Sequence, residues 1–337
     1  MLKKMLKVFL YFILVLLSIA MIVVIAFQVS PRPGAYVISK MFDSPIEITD
    51  QTSYDQVKGH VQISADKSYD SAFANHTYDV YYPNNAAEPV PVLIWVHGGG
   101  YVGGDKAGVE EFATKISSDA QIAVVVMNYA HAPSSQYPNQ VLQVNDLVKQ
   151  LQKDQDNRLD LKNILFGGDS AGAQIALQYV AIQTNETYAK EMKMDPFIAP
   201  NDIKGTLSYS GPVDMQQIAN QKSNNQFMKF FVNTVAWSLL GTKNWKEDDR
   251  LVQVSLTNSV SKDFPPTYIT DGNAYSFQDQ GIAFENKLKS LNVRVESLFF
   301  KGDAKEITHE YQFDYSLPES KKCYEQSVAF IKSLINN

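Results

Sequence analysis

Asn163-Ile164-Leu165-Phe166-Gly167-Gly168-Asp169-Ser170-Ala171-Gly172-Ala173-Gln174-Ile175-Ala176-Leu177 decides the fold. A short apolar run, strand-like, enters a turn of small residues, and a helix-like run leaves it. Gly168 to Gly172 matches G-x-S-x-G, the sharp strand-to-helix turn that presents a serine nucleophile. The pattern alone arises by chance; its context gives it meaning. Such a turn holds the serine in a strained backbone and brings helix and strand close together, so its neighbours must be small. The helix N-terminus behind Ser170 favours negative charge there, and Asp169 reads as structural.

Working outward, the flanking sequence alternates strands and helices. Pro89 to Val96 and Ile122 to Met127 are continuous apolar runs, as expected of strands buried on both faces. Val61 to Ala65 and Thr77 to Tyr82 alternate, which predicts half-buried strands. Gly205 to Ser210, Pro266 to Thr270 and Val293 to Phe300 complete the strand set. Helical periods cover Gly108 to Ser118, Asn139 to Asp154, Ser170 to Gln183, Phe277 to Leu291 and Glu319 to Ile335. This order predicts an α/β fold with a mostly parallel central sheet flanked by helices. About 50 residues between Asp214 and Pro265 break the alternation and are rich in aromatic and aliphatic side chains. A plain loop of that length is unusual. We expect a helical cap over 214–264, whose aromatics line a pocket, pack the cap on the core, or do both.

His97-Gly98-Gly99-Gly100 follows the buried strand directly. Consecutive glycines let backbone N–H groups turn toward a substrate oxygen. Gly99 and Gly100, with Ala171, are the candidate oxyanion donors, and His97 reads as a support for the loop. A phosphate loop would continue Gly-Lys-Ser/Thr, which is absent. Of the histidines at 60, 76, 97, 131 and 309, only His309 follows Ser170, and it follows the last strand, where a general base belongs.

These motifs resemble the hormone-sensitive-lipase-like branch of the α/β-hydrolases, which includes many bacterial carboxylesterases. The resemblance runs from about Asp79 to the C-terminus. Asp79 to Pro83 is similar to the family's first matched strand and His97 to Gly103 to its oxyanion loop. Tyr129-Ala130-His131-Ala132-Pro133 is similar to its Y-R-L-A-P segment, with Ala130 in place of Arg. The resemblance implies the α/β-hydrolase fold and hydrolysis of carboxylic esters, of short to medium acyl length and including acetyl esters, through an acyl-enzyme. The catalytic acid departs from the family pattern: aligning Pro265-Pro266 puts Tyr275 where the family has an aspartate. Asp271 at the strand end is the first candidate; Asp214, after the sixth strand, and Asp279, in the following helix, are the others. The missing acid also leaves open a non-catalytic surface module built on the same fold. A peptidase of the same fold would share the serine and base. No metal or organic cofactor is implied.

The N-terminus carries a separate signal. Lys3, Lys4 and Lys7 precede an apolar run from Val8 to Phe27. About 20 residues match a bilayer core of about 30 Å. The run exceeds a signal-peptide core and ends without small residues at a cleavage site. We expect an uncleaved anchor over 1–29, with the N-terminus in the cytoplasm and the rest of the chain outside. Ser30 to Gly34 breaks that helix, and 30–58 reads as a linker or stalk before a catalytic domain over 59–337. Outside the membrane the substrate is a small-molecule or polysaccharide-linked ester. The net charge of −6 argues against a nucleic-acid partner. Asn75 and Asn185 open N-x-Thr sequons. The single cysteine, Cys323, cannot form an internal disulfide and reads as a buried thiol.

Overall fold

The computed structural model describes residues 1–43, 47–221 and 224–335. Eight strands form one sheet: β1 (Val61–Ser68), β2 (Thr77–Pro83), β3 (Val90–Val96), β4 (Ala123–Met127), β5 (Leu159–Asp169), β6 (Ile203–Tyr209), β7 (Thr267–Thr270) and β8 (Val295–Leu298). Their spatial order is β1-β2-β4-β3-β5-β6-β7-β8. β2 pairs antiparallel with both β1 and β4, and every other neighbour is parallel. Twelve helices are described: α1 (Leu2–Val29), α2 (Arg32–Ser39), α3 (Gln51–Val57), α4 (Glu110–Ala120), α5 (Asn139–Asp154), α6 (Ala171–Thr184), α7 (Glu186–Met192), α8 (Met215–Asn220), α9 (Gln226–Leu240), α10 (Arg250–Val254), α11 (Gln278–Ser290) and α12 (Pro318–Ile335).

The apolar runs do what period-2 geometry requires when both faces of a sheet are covered. Val90, Val92, Ile94 and Val96 of β3 enter one core, while Leu93 and Trp95 enter the other. β4 divides likewise, with Val125 on one face and Val124 and Val126 on the other. Complete burial of such side chains contributes roughly 1.5–3 kcal/mol each.

Three readings of local structure change. β2 is not half-buried: six of its seven residues are buried. Its polar Asp79 is tolerated inside because Lys106 Nζ lies 2.8 Å from its carboxylate. β1 alternates in sequence but is an edge strand on which Ile63 is exposed. The stretch expected to be a linker is folded: α2 and α3 lie within it, and α3 is held to α4. Tyr54 donates a hydrogen bond to Glu110 at 2.6 Å, and the Glu111 carboxylate accepts from the N–H groups of Thr49 and Asp50. Too few residues per helix fall in this stretch for a 3.6 period to stand out.

Between β6 and β7 the chain is helical, with α8, α9 and α10 in the segment expected to be a cap; its Lys222 and Ser223 lie outside the described residues. α1 is long and apolar enough to cross a membrane and contains no buried residue. At 1.5 Å per residue its 28 residues reach about 42 Å. Cys323 is buried, and burial pushes its thiol up.

Candidate active site

The loops that leave β3, β5, β7 and β8 at their carboxyl ends converge on one place, where ligands bind in open α/β sheets. Ser170 stands at the tip between β5 and α6 with φ 46° and ψ −119°, outside the regions a non-glycine residue normally adopts. The tight approach of helix and strand explains the small neighbours. A Cβ on Gly172 would lie 2.0 Å from the Val96 carbonyl oxygen. Ser170 N–H donates to the Tyr209 carbonyl at 2.8 Å, which ties the strained turn to β6.

Ser170 Oγ lies 3.0 Å from His309 Nε2. The other imidazole nitrogen, Nδ1, is 3.4 Å from Asp271 Oδ1 and makes no regular hydrogen bond. A long contact of this kind is common before substrate binds. Asp271 is 2% exposed and sits directly after β7. Its carboxylate is fixed by the N–H groups of Gly272 at 2.8 Å and Phe277 at 2.6 Å. His309 is held by its own N–H, which donates to Ala274 O at 3.1 Å, and by the Phe277 ring, edge-on at 5.3 Å. Burial pulls the imidazolium down, but Asp271, Glu310 and Asp169 outweigh it and leave the pKa of His309 raised.

Of the three carboxylates considered, the structure brings only Asp271 to His309. Asp279 is largely exposed and pairs with Lys301 at 3.1 Å. Asp214 caps α8, accepting from Gln217 N–H at 3.0 Å. Tyr275, the residue aligned with the family's acid, is 67% exposed and lines the pocket mouth with φ 53°. The carboxylate beside His309 therefore lies four residues earlier, at the strand end itself.

Gly99 has φ +113°, and a Cβ there would meet the Gly103 carbonyl at 2.1 Å. The N–H groups of Gly99 and Gly100 have no acceptor among the described residues. Ala171 begins α6, so its N–H belongs to the unpaired first turn. His97 is buried, its Nδ1 is 2.6 Å from Gly98 O, and its ring stacks on Tyr129 at 4.6 Å. Burial lowers its pKa to about 4, so it is a neutral brace. The Tyr129 hydroxyl donates to the carbonyls of His97 and Gly98, which gives the Tyr129–Pro133 segment its place behind the loop.

Asp169, which reads as structural in the sequence, is buried and accepts from Trp95 Nε1 at 2.8 Å and Gly98 N–H at 2.6 Å. The Glu310 carboxyl beside it escaped the sequence reading, as did two residues of the pocket wall. Met41 and Phe42, from the supposed linker, line the pocket above Ser170. The pocket holds about 270 Å³, and its other walls include Phe231, Val232, Val235 and Leu239 of α9. Buried Ala35 and Ile38, three apart, were the available sign that a helix with an apolar face precedes Phe42.

A family model described as the alpha/beta hydrolase fold matches residues 93–309, well over half of the chain. The chain belongs to this family. Within it, the chain is 25% identical over 227 residues to a mimivirus protein (Acanthamoeba polyphaga mimivirus) named as an alpha/beta hydrolase, a match covering 65% of this chain and 62% of that one. It is 23% identical over 252 residues to an esterase of Acinetobacter venetianus, covering 74% and 77%. Among solved structures it is similar to esterase B from Lactobacillus rhamnosis, with a TM-score of 0.70, 20% identity, and 85% and 90% of the two chains covered. The matched stretch spans less than two thirds of the mimivirus relative's own length.

Proposed function

We propose that this α/β-hydrolase is a serine carboxylesterase held to a membrane by α1, with its catalytic domain on the extracytoplasmic side. One observation carries the reading: Ser170, His309 and Asp271 stand in line beneath free backbone donors, at the floor of an apolar pocket. Ser170 Oγ attacks the ester carbonyl while His309 Nε2 takes its proton. The N–H groups of Gly99, Gly100 and Ala171 receive the oxyanion. His309 returns the proton to the departing alcohol, and water, activated by the same imidazole, releases the acid from Ser170. Asp271 orients the imidazole and balances its charge. Acyl chains of short to medium length suit the pocket, whose lining is almost wholly hydrocarbon. Lys3, Lys4 and Lys7, in the first turns of α1, favour a cytoplasmic N-terminus.

The test is release of p-nitrophenol from acetate, butyrate and octanoate esters by the wild type, Ser170→Ala and His309→Ala. Turnover lost in both variants, with fluorophosphonate labelling of Ser170 in the wild type, supports the reading. A folded wild type with neither turnover nor label refutes it.

A further inference from the structure

The anchor is not a free tether. Only Ser30 and Pro31 separate α1 from α2, and both ends of that junction are docked on α9 and the loop after it. The Phe27 ring lies 6.5 Å from Phe230. Lys243 Nζ donates to the Gln28 carbonyl at 2.8 Å and lies 3.0 Å from its side-chain oxygen. Gly34 of α2 approaches α9 so closely that a Cβ would lie 2.8 Å from Thr234 Cγ2. The inner face of α2 is buried through Ala35 and Ile38 against Val102 and Ala132 of the catalytic domain.

The outer face of α2 is open, with apolar Tyr36 and Val37 exposed between the basic side chains of Arg32 and Lys40. Tyr36 and Val37 are 65% and 48% exposed, and half-exposed Met41 and Phe227 continue that surface to the pocket rim. α2 has 8 residues, so it reaches only about 12 Å from the end of the spanning helix. At that junction Lys243 stands 5.4 Å over the Trp237 ring, a residue pair suited to the headgroup level of a bilayer. A rim with exposed apolar side chains, held this close to the emerging span by the docked junction, is positioned to meet lipid.

On the reading of the site as a hydrolase, we propose that its substrate is an amphiphilic acyl ester dissolved in the bilayer. The acyl chain passes over Tyr36, Val37, Met41 and Phe227 into the pocket without crossing water. The ester C–O bond breaks at Ser170, the alcohol leaves with the proton from His309, and water frees the fatty acid, which returns by the same rim.

The full chain reconstituted in phosphatidylcholine vesicles tests this. 4-Methylumbelliferyl laurate, a medium-chain ester that partitions into bilayers, is placed either in the same vesicles as the protein or in protein-free vesicles mixed with them, and p-nitrophenyl acetate is supplied in water. Laurate turnover is expected to be at least about tenfold faster in shared vesicles. Tyr36→Glu and Val37→Glu, which remove apolar surface from the rim, are expected to lower laurate turnover roughly tenfold. Both leave acetate turnover within about twofold, as surface substitutions do. Equal laurate rates from both vesicle populations overturn the proposal without any variant, as do glutamates that lower both esters alike. Acetate turnover with no laurate turnover overturns lipid access and spares the hydrolase reading. No turnover of either ester, with Ser170 unlabelled by fluorophosphonate, refutes the hydrolase reading and the proposal with it.

Discussion

The carboxyl groups of Asp169 and Glu310 meet in a buried space beside the two residues, Ser170 and His309, to which each is joined in sequence. Burial, then the Glu310 charge, pushes Asp169 well above the usual carboxylate range. Two ionised carboxylates cannot share such a space, so the pair holds a proton. Trp95 and Gly98 also donate to Asp169, so the protonated pair supports both the elbow and the oxyanion loop.

A pH dependence of stability follows. An acid with a raised folded-state pKa binds more protons folded than unfolded, so its contribution is fully present below the unfolded pKa of about 4. That contribution is lost as pH rises through the folded value. Urea midpoints of the wild type should fall over that window. Asp169→Asn, whose amide donates toward Glu310 but cannot accept from both Trp95 and Gly98, should lower stability overall yet flatten the dependence. An unchanged slope in Asp169→Asn would show that the proton resides elsewhere.

Asp271 is expected to set both rate and pH profile. Burial opposes charge on His309, yet Asp271 leads the carboxylates that outweigh it, so the basic form dominates only above the ordinary histidine value of about 6.5. kcat/KM should therefore rise with pH through a midpoint above that value. Asp271→Asn should move the midpoint down and reduce kcat by about 10⁴-fold. Asp279→Asn and Asp214→Asn should leave the profile in place. Activity lost in either of those and kept in Asp271→Asn would reassign the acid.

Much of this could be read from the chain. The elbow, the glycine loop and the alternating apolar runs each tie residue type to backbone geometry over a few positions, so strand ends and site loops follow locally. Asp271 was harder, because sequence spacing from Pro265-Pro266 says nothing of how the loop to Phe277 folds back to lay Ala274 beside Thr308. Glu310 was invisible for a different reason. Its meeting with Asp169 joins loops far apart in sequence, and nothing in either stretch announces the other. α2 hid because its apolar face comprises only two or three residues and its partners lie on α9 and the loops at Val102 and Ala132.

Pocket depth should follow Phe231. Its ring tip would lie 3.3 Å from a Cβ on Gly100, so it closes the space next to the oxyanion loop. Phe231→Ala should shift preference toward longer acyl chains, read as the ratio of octanoate to butyrate kcat/KM. The residue is only half-buried, so the stability cost should stay below the roughly 3–5 kcal/mol of a fully buried phenylalanine. A ratio that does not move would place the acyl chain along another wall.

The segment before residue 59 should prove part of the catalytic domain. A chain beginning at Arg32 retains Ala35 and Ile38 in their apolar contacts and Phe42 on the pocket wall, so its turnover of p-nitrophenyl acetate should match the full chain in detergent. A chain beginning at Gly59 lacks those side chains and the Tyr54–Glu110 and Glu111–Thr49 bonds, and it bares the face of α9 that they cover. Ile38 is fully buried, and Ile38→Ala alone should cost about 2–5 kcal/mol. The shorter chain should therefore melt earlier and lose most of its turnover. Equal melting temperatures and rates for the two chains would return this segment to the role of a stalk.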